Sequence, residues 1–560
     1  MKTKRFVSTL LALLLICGLP LSAFAEEYDL AQGSVTVTAT ESGQTVTQGT
    51  SYVDVPDSAP VITQSNSSIP TENTVTITAT ENATANVTIQ DVNVVISDPS
   101  GSPQDHSGQA AVTIDVADNA SANVTLDSVK IDVKETGKIW SPPGAAAVQI
   151  TGNGDVTLEL DGTNIVQSGA RRAGVEKNTI AATETNSGSG NGNLTITDET
   201  GTSGSLESTG GPNGAGIGGG VSGDSSNITI TGNAEVTAQG GQSGAGIGGG
   251  AYGDGSNITI SGGKVTATGG NYGAGIGGGQ KGSGSEITIS GGTVEATGGE
   301  NNGAGIGGGA NGSGSDIIIT GTAEVTAKGG NYGAGIGGGY NGNGNGTGSN
   351  ITISQDAQVK AQGGKGGNSS SNPNVVYGAG AAVGNGGKPG YSGNLNGAEV
   401  QPSTDRLTPN GTIEYYAPGA DMETADPVRT VIGSYVPPQD EEKPDQPAEP
   451  AQTAPLYRVV NQDGKDILHS DARKDGVLTI TVDADIASLT GKLGGIQTLK
   501  AQGIDTIVFV TNGAASTFAL SDLLSQGSAG DSYTLTHDGS TVTFTLGAAK
   551  TDISGLLAKQ

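Results

Sequence analysis

The chain has 560 residues, 97 of them Gly, with only 14% charged and 3% aromatic residues and a formal net charge of −29. That length allows roughly two to four domains or one long repeat array, and Gly at more than twice its usual ~7% without a Gly-X-Y period excludes collagen. The acidic balance argues against nucleic acid, whose phosphates need a basic face, and the shortage of aromatics argues against a large Phe-rich core.

Residues 1–25 read as a secretory signal peptide. Lys2, Lys4 and Arg5 open it, an apolar run extends from Phe6 to Leu21, and Ala23-Phe24-Ala25 supplies an A-x-A cleavage site before Glu26. The only cysteine, Cys17, lies inside this segment and follows Ile16, so it does not fit a lipoprotein signal. Cleavage at Ala25-Glu26 removes three basic residues and no acid, which moves the net charge to −32 and leaves no thiol for disulfides or Cys-based sites. No later stretch reaches the ~20 apolar residues of a transmembrane helix, and no LPxTG sorting signal is present. The expectation is an exported protein, extracellular or held non-covalently at the cell surface.

From residue 26 to 200 the chain is a series of short alternating strands. They include Val35-Thr36-Val37, Asn86-Val87-Thr88-Ile89, Asn123-Val124-Thr125-Leu126, Asp155-Val156-Thr157-Leu158 and Asn193-Leu194-Thr195-Ile196. Many begin with Asn or Asp, which suits a tight turn. These strands are expected to form diverged coils of a β-helix, with residues 26–60 capping its N-terminal end.

Residues 201–395 carry an explicit repeat. The heptapeptide G-A-G-I-G-G-G starts at Gly214, Gly244, Gly273, Gly303 and Gly333, at spacings of 30, 29, 30 and 30. A decayed copy runs from Gly378 to Gly384. Between copies come an I-T-I-[ST] block, as in Ile228–Thr231 and Ile258–Ser261, and a V-x-A-x-G-G block beginning at Val265, Val294, Val325 and Val359. Alternation within each block sends two side chains inward. One unit is therefore three strands and three turns, a single coil of a parallel β-helix with an inward set of Ala, Ile, Ile, Ile, Val and Ala. Stacked coils should lie ~4.8 Å apart. The Gly strand is expected to leave a flat, side-chain-free outer face where a partner could dock, and to tolerate Gln at Gly246 and Gly275.

Residues 396–436 read as an exit segment over the last coil, and 437–455 as an acidic, Pro-rich linker. Residues 456–560 read as a small separate α+β domain. Its expected helices are 486–502 and 518–526, with a hairpin around Asp538-Gly539. The expected fold class is therefore all-β: a right-handed parallel β-helix of ~30 residues per coil plus this α+β domain.

Candidate chemistry is sparse. G-A-G-I-G-G-G opens no helix, so it is neither a P-loop nor a dinucleotide fingerprint. His106, His469 and His537 are scattered, the last two in expected surface turns, and no catalytic residue is assigned. Stacking aligns Asp224 with Asp254 and Glu286 with Asp316, and carboxylates ~5 Å apart could hold Ca²⁺, the one cofactor considered. Asn227, Asn257 and Asn350 share such columns and favour solvated turns instead. Tyr272 and Tyr332 occupy one column two coils apart, with Tyr252 and Tyr340 near the other end of the Gly strand; exposed rings at such spacing could stack on sugars.

The G-A-G-I-G-G-G…I-T-I-S-G-G…V-T-A-T-G-G cycle resembles that of exported β-strand-repeat proteins of Gram-positive, gut-type bacteria. Some of these are described as carbohydrate-binding or right-handed β-helix repeat proteins. The resemblance covers residues 200–395 strongly and 34–200 weakly, and not 456–560. It implies a surface scaffold that binds cell-wall or plant polysaccharide, and it carries no residue roles over. Three readings stay open: a non-enzymatic carbohydrate-binding or adhesion module, a polysaccharide lyase or hydrolase, and a structural spacer.

Overall fold

The computed structural model describes residues 26–98, 109–138, 142–178, 190–199, 204–340 and, with short gaps, 342–435 and 457–557. The expected signal peptide, the acidic linker, His106 and His469 lie outside these residues. The chain divides into two compact units, Met1–Gln439 and Asp440–Gln560.

The first unit is a parallel β-helix with three sheets of 11, 11 and 13 strands. One sheet stacks the I-T-I strands Ile228–Ile230, Gly255–Ile260, Gly284–Ile289, Gly314–Ile319 and Gly348–Ile353. A second stacks the V-x-A strands, from Glu235–Gln239 through Lys264–Thr268 and Thr293–Thr297 to Gln358–Gln362. The third stacks the two-residue strands of the heptapeptides, with Ile217, Ile247, Ile276, Ile306, Ile336 and Val383 in one column. All six inward positions of the first full repeat, Ala215, Ile217, Ile228, Ile230, Val236 and Ala238, are buried. Fully burying each Ile contributes roughly 1.5–3 kcal/mol, and a parallel sheet needs such a covered face.

Upstream strands continue the same three sheets without the glycines. Thr84–Gln90, Ser121–Asp127, Asp155–Asp161 and Leu194–Thr197 lead in register into the I-T-I column. At the N-terminal end Val35–Thr40, Gly43–Gln48 and Tyr52–Pro56 form an antiparallel meander that closes one sheet. Its outermost strand contains Pro56 and a left-handed Asp54 (φ 49°), both of which interrupt further pairing. At the other end Thr412–Tyr416 adds in parallel to Gln358–Gln362, and Arg429–Ile432 covers it in antiparallel fashion.

The second unit is α+β. A five-stranded sheet is built on Ile486–Lys492, Ser532–Asp538 and Thr541–Leu546, and a four-stranded sheet on Val477–Thr481, Thr506–Val510 and Ala515–Ala519. Its two helices are shorter than the sequence indicates. Ile486–Lys492 is a strand, with Ala487 and Leu489 inward, and the helix is Leu493–Ala501. Likewise Phe518 lies in the strand Ala515–Ala519, and only Leu520–Leu524 is helical. His537 does not sit in a surface turn. It is fully buried, with Thr511 Oγ1 2.9 Å from Nδ1 and Ser516 Oγ 2.9 Å from Nε2, and burial holds its pKa below the usual value.

Candidate functional site

The heptapeptides do not form an open face. Every residue of the five copies is buried, because each segment bows and its flanking loops close over it. Within each copy the Ala amide donates to the carbonyl four residues on, as from Ala245 to Gly249 and from Ala274 to Gly278, both at 2.9 Å. The loop after each heptapeptide then donates to the loop before the previous one. Ala251 N bonds Asn213 O at 2.9 Å, Gln280 N bonds Ser243 O at 2.8 Å, Ala310 N bonds Tyr272 O at 2.8 Å, and Tyr340 N bonds Asn302 O at 2.7 Å.

This ladder of clasps roofs the third sheet with a ridge of loops. It also overturns the expected tolerance of Gln at Gly246 and Gly275. A Cβ on Gly246 would lie 2.6 Å from Gly275 O and 2.7 Å from Thr268 N, and one on Gly275 2.6 Å from Gly305 O and 2.7 Å from Thr297 N. Glycine is required there for close backbone approach, not to expose a flat surface.

The clasp explains where the tyrosines lie. Because it joins the two ends of neighbouring heptapeptides, Tyr252 and Tyr272 line one groove of ≈ 350 Å³ with Arg171, Asn213, Gln242 and Gln280. Tyr252 is 55% exposed, in a left-handed conformation (φ 69°) that lifts its ring off the ridge, and Lys281 Nζ sits 5.2 Å from the ring centroid. Tyr332 and Tyr340 meet further along, with ring centroids 5.9 Å apart. Tyr377, unremarked in the sequence, joins them at 4.9 and 5.8 Å. Burial, reinforced by the neighbouring phenols, pushes the Tyr340 pKa up to about 12. The four tyrosines thus form two clusters, one open to solvent and one packed on itself.

Asp224 and Asp254 serve the backbone. Asp224 Oδ1 accepts the amide of Asp254 at 2.8 Å, and Asp254 Oδ1 accepts that of Ser283 at 2.7 Å. Burial raises the Asp224 pKa; the accepted amide opposes this and the Asp254 charge adds to it. Glu286 and Asp316 occupy a column of left-handed residues with Asn227, Asn257 and Asn350, at φ between 46° and 58°, all but Asn227 within the strands of the I-T-I sheet. Asn257 Nδ2 donates to Asn227 Oδ1 at 2.6 Å, and Asn350 Nδ2 donates to Asp316 Oδ1. Among the described residues no group of three or more His, Cys, Asp or Glu is placed to hold a metal.

A buried charged network lies beside the tyrosine groove. Ala173-Gly174-Val175-Glu176-Lys177-Asn178 is a disguised copy of A-G-I-G-G-G, since Val175 pairs with Ile217 and Glu176 with Gly218. Arg172 Nη1 contacts Glu176 Oε1 at 2.6 Å, and both side chains are at most 3% exposed. Asn178 Oδ1 accepts Gly220 N at 2.8 Å, and Lys177 Nζ donates to Ser226 O at 2.9 Å. Burial pushes the Lys177 pKa down to about 8, against the opposing Asp155 charge. The Ala-Gly-Val start was the available signal, obscured because side chains fill three positions that are Gly in all five G-A-G-I-G-G-G copies.

Four stretches, residues 228–251, 258–280, 287–310 and 317–340, match the family described as Beta helix repeat. Each runs from an I-T-I strand to the loop after the next heptapeptide, so the matched unit is one coil with its clasp. No curated protein and no solved structure matches the chain. Among the described residues no helix is long and apolar enough to cross a membrane. Taken with the three parallel sheets, the matches identify a parallel β-helix protein whose central coils are similar to Beta helix repeats.

Proposed function

We propose that the chain is an exported, non-enzymatic scaffold that binds carbohydrate through the ridge of loops over its third sheet. The observation that carries this reading is the groove shared by Tyr252 and Tyr272. It presents two aromatic side chains beside the amides of Asn213, Gln242 and Gln280, the combination that stacks on sugar faces and bonds sugar hydroxyls. The non-enzymatic part is supported by the stacked acids: Asp224 and Asp254 accept backbone amides, and Asp316 accepts the side-chain amide of Asn350. Ca²⁺ enters the proposal only as a ligand these stacked carboxylates could share.

A glycan-array screen of the wild type and the Tyr252→Ala/Tyr272→Ala variant, with and without Ca²⁺, tests the reading. The expected result is binding by the wild type and a loss of at least ~30-fold in the variant, as stacked rings contribute ~1–3 kcal/mol each elsewhere. Absence of wild-type binding to every glycan, with and without Ca²⁺, would overturn it.

A further inference from the structure

The tyrosine groove does not end at Gln242. A second trough of ≈ 440 Å³ begins at that residue and crosses three coils. Its construction is periodic: Gln239, Gly240 and Gln242 in one coil, Thr268-Gly269-Gly270-Asn271 in the next and Thr297-Gly298-Gly299-Glu300 in the third each supply two lips and a backbone floor. Stacking explains the floor, since a Cβ on Gly241, Gly270 or Gly299 would overlap the carbonyl of Gly211, Gly241 or Gly270 in the preceding coil. Backbone bonds hold both lips in register. Gly240 N donates to Thr268 O and Gly269 N to Thr297 O at 2.9 Å, and Asn301 N donates to Asn271 O at 2.7 Å.

The lips are what stacking does not require. Five of the six are uncharged hydroxyl or amide side chains, Glu300 being the exception, on a chain with 55 acids. Gln242, Asn271 and Glu300 are exposed. Among the described residues no side-chain hydrogen bond engages Thr268, Asn271, Thr297 or Glu300, whereas Gln239 Nε2 is spent on Gly240 O at 3.1 Å. The trough therefore offers a donor and acceptor pair at every coil, ~4.8 Å apart along the axis. An extended polymer of hydroxylated rings, whose units advance by about one coil, meets both the aromatic groove and these rows.

We infer that the bound carbohydrate is a linear β-1,4-linked chain laid along the coil axis, running from the Tyr252–Tyr272 groove past Thr268–Asn271 to Thr297–Glu300. The inference rests on the carbohydrate-binding reading and adds orientation, linkage and length. The chain is bound along its length, one sugar to a coil, not by a terminal unit.

Calorimetric titration of the full chain with chito- and cello-oligosaccharides of two, four and six units tests it. Affinity is expected to rise with length by about tenfold from two to six units, the gain of one or two hydrogen bonds. The Asn271→Ala/Thr297→Ala variant, altered only at groove lips, is expected to bind the six-unit chain no better than the two-unit one while keeping the wild-type two-unit affinity. Equal wild-type affinity for two and six units, or an unchanged length dependence in the variant, overturns the axial chain and leaves carbohydrate binding standing. Absence of binding at every length in both series removes the inference, and the glycan array then decides whether carbohydrate binding of another kind remains.

Discussion

Gly246 shows how narrow the tolerance of the stacked coils is. Its Cα lies so close to the next coil that even a methyl group would meet Gly275 O at 2.6 Å. Gly246→Ala is expected to lower stability by about 1–3 kcal/mol, the usual cost of overpacking, while exposed Gln242→Ala changes it by less than about 0.5 kcal/mol. Urea unfolding of both variants checks the contrast. Lys177 makes a second prediction. Its folded pKa of about 8 lies below the unfolded 10.5, so between these values the unfolded chain holds a proton that the folded chain has released. Its unfavourable contribution is thus full below pH 8 and fades as pH rises. Relative to Lys177→Met, the wild type should gain about 2 kcal/mol between pH 7 and 9.5, and paired unfolding curves at those two pH values measure it. A constant difference would show that Lys177 is solvated.

Among the elements, legibility followed side-chain alternation. Ile228 and Ile230 flank Thr229, and Val236 and Ala238 flank Thr237, so those strands and their inward faces were readable from the sequence. The heptapeptide was not, because Gly gives no alternation beyond Ala215 and Ile217. Its bowed shape depends on bonds between loops 37 or 38 residues apart, such as Gln280 to Ser243 and Ala251 to Asn213. The tyrosine groove was half legible for the same reason: the four rings could be placed in columns, but only the clasp decides which rings meet. Tyr377 was missed because the insertion before it breaks the period. In the second unit tertiary context overrides the helix expected from 486 on: Ile486–Lys492 pairs as a strand with alternating burial, as local helix propensity is a weak preference. One element-scale prediction follows from the register. Deleting residues 274–303, one whole period from Gly273 to Ala304, should leave a folded, shorter helix with a melting temperature within a few degrees, whereas deleting residues 274–288 should unfold it. Circular dichroism melts of the two deletions test this.

The whole molecule reconciles 97 glycines with an ordered structure. In the repeats they permit close stacking of coils, and the close stacking produces a roofed ridge with a tyrosine groove and a polar trough along it. The parallel β-helix was readable from the period alone; the position of the proposed binding surface depends on the clasp. Hydrogen exchange of the full chain with and without a six-unit chito- or cello-oligosaccharide tests that placement most directly. The account predicts slowed exchange confined to the ridge and its trough, in residues 239–253, 268–281 and 297–300. Protection on the I-T-I sheet instead, with the ridge unchanged while the ligand is bound, would contradict it.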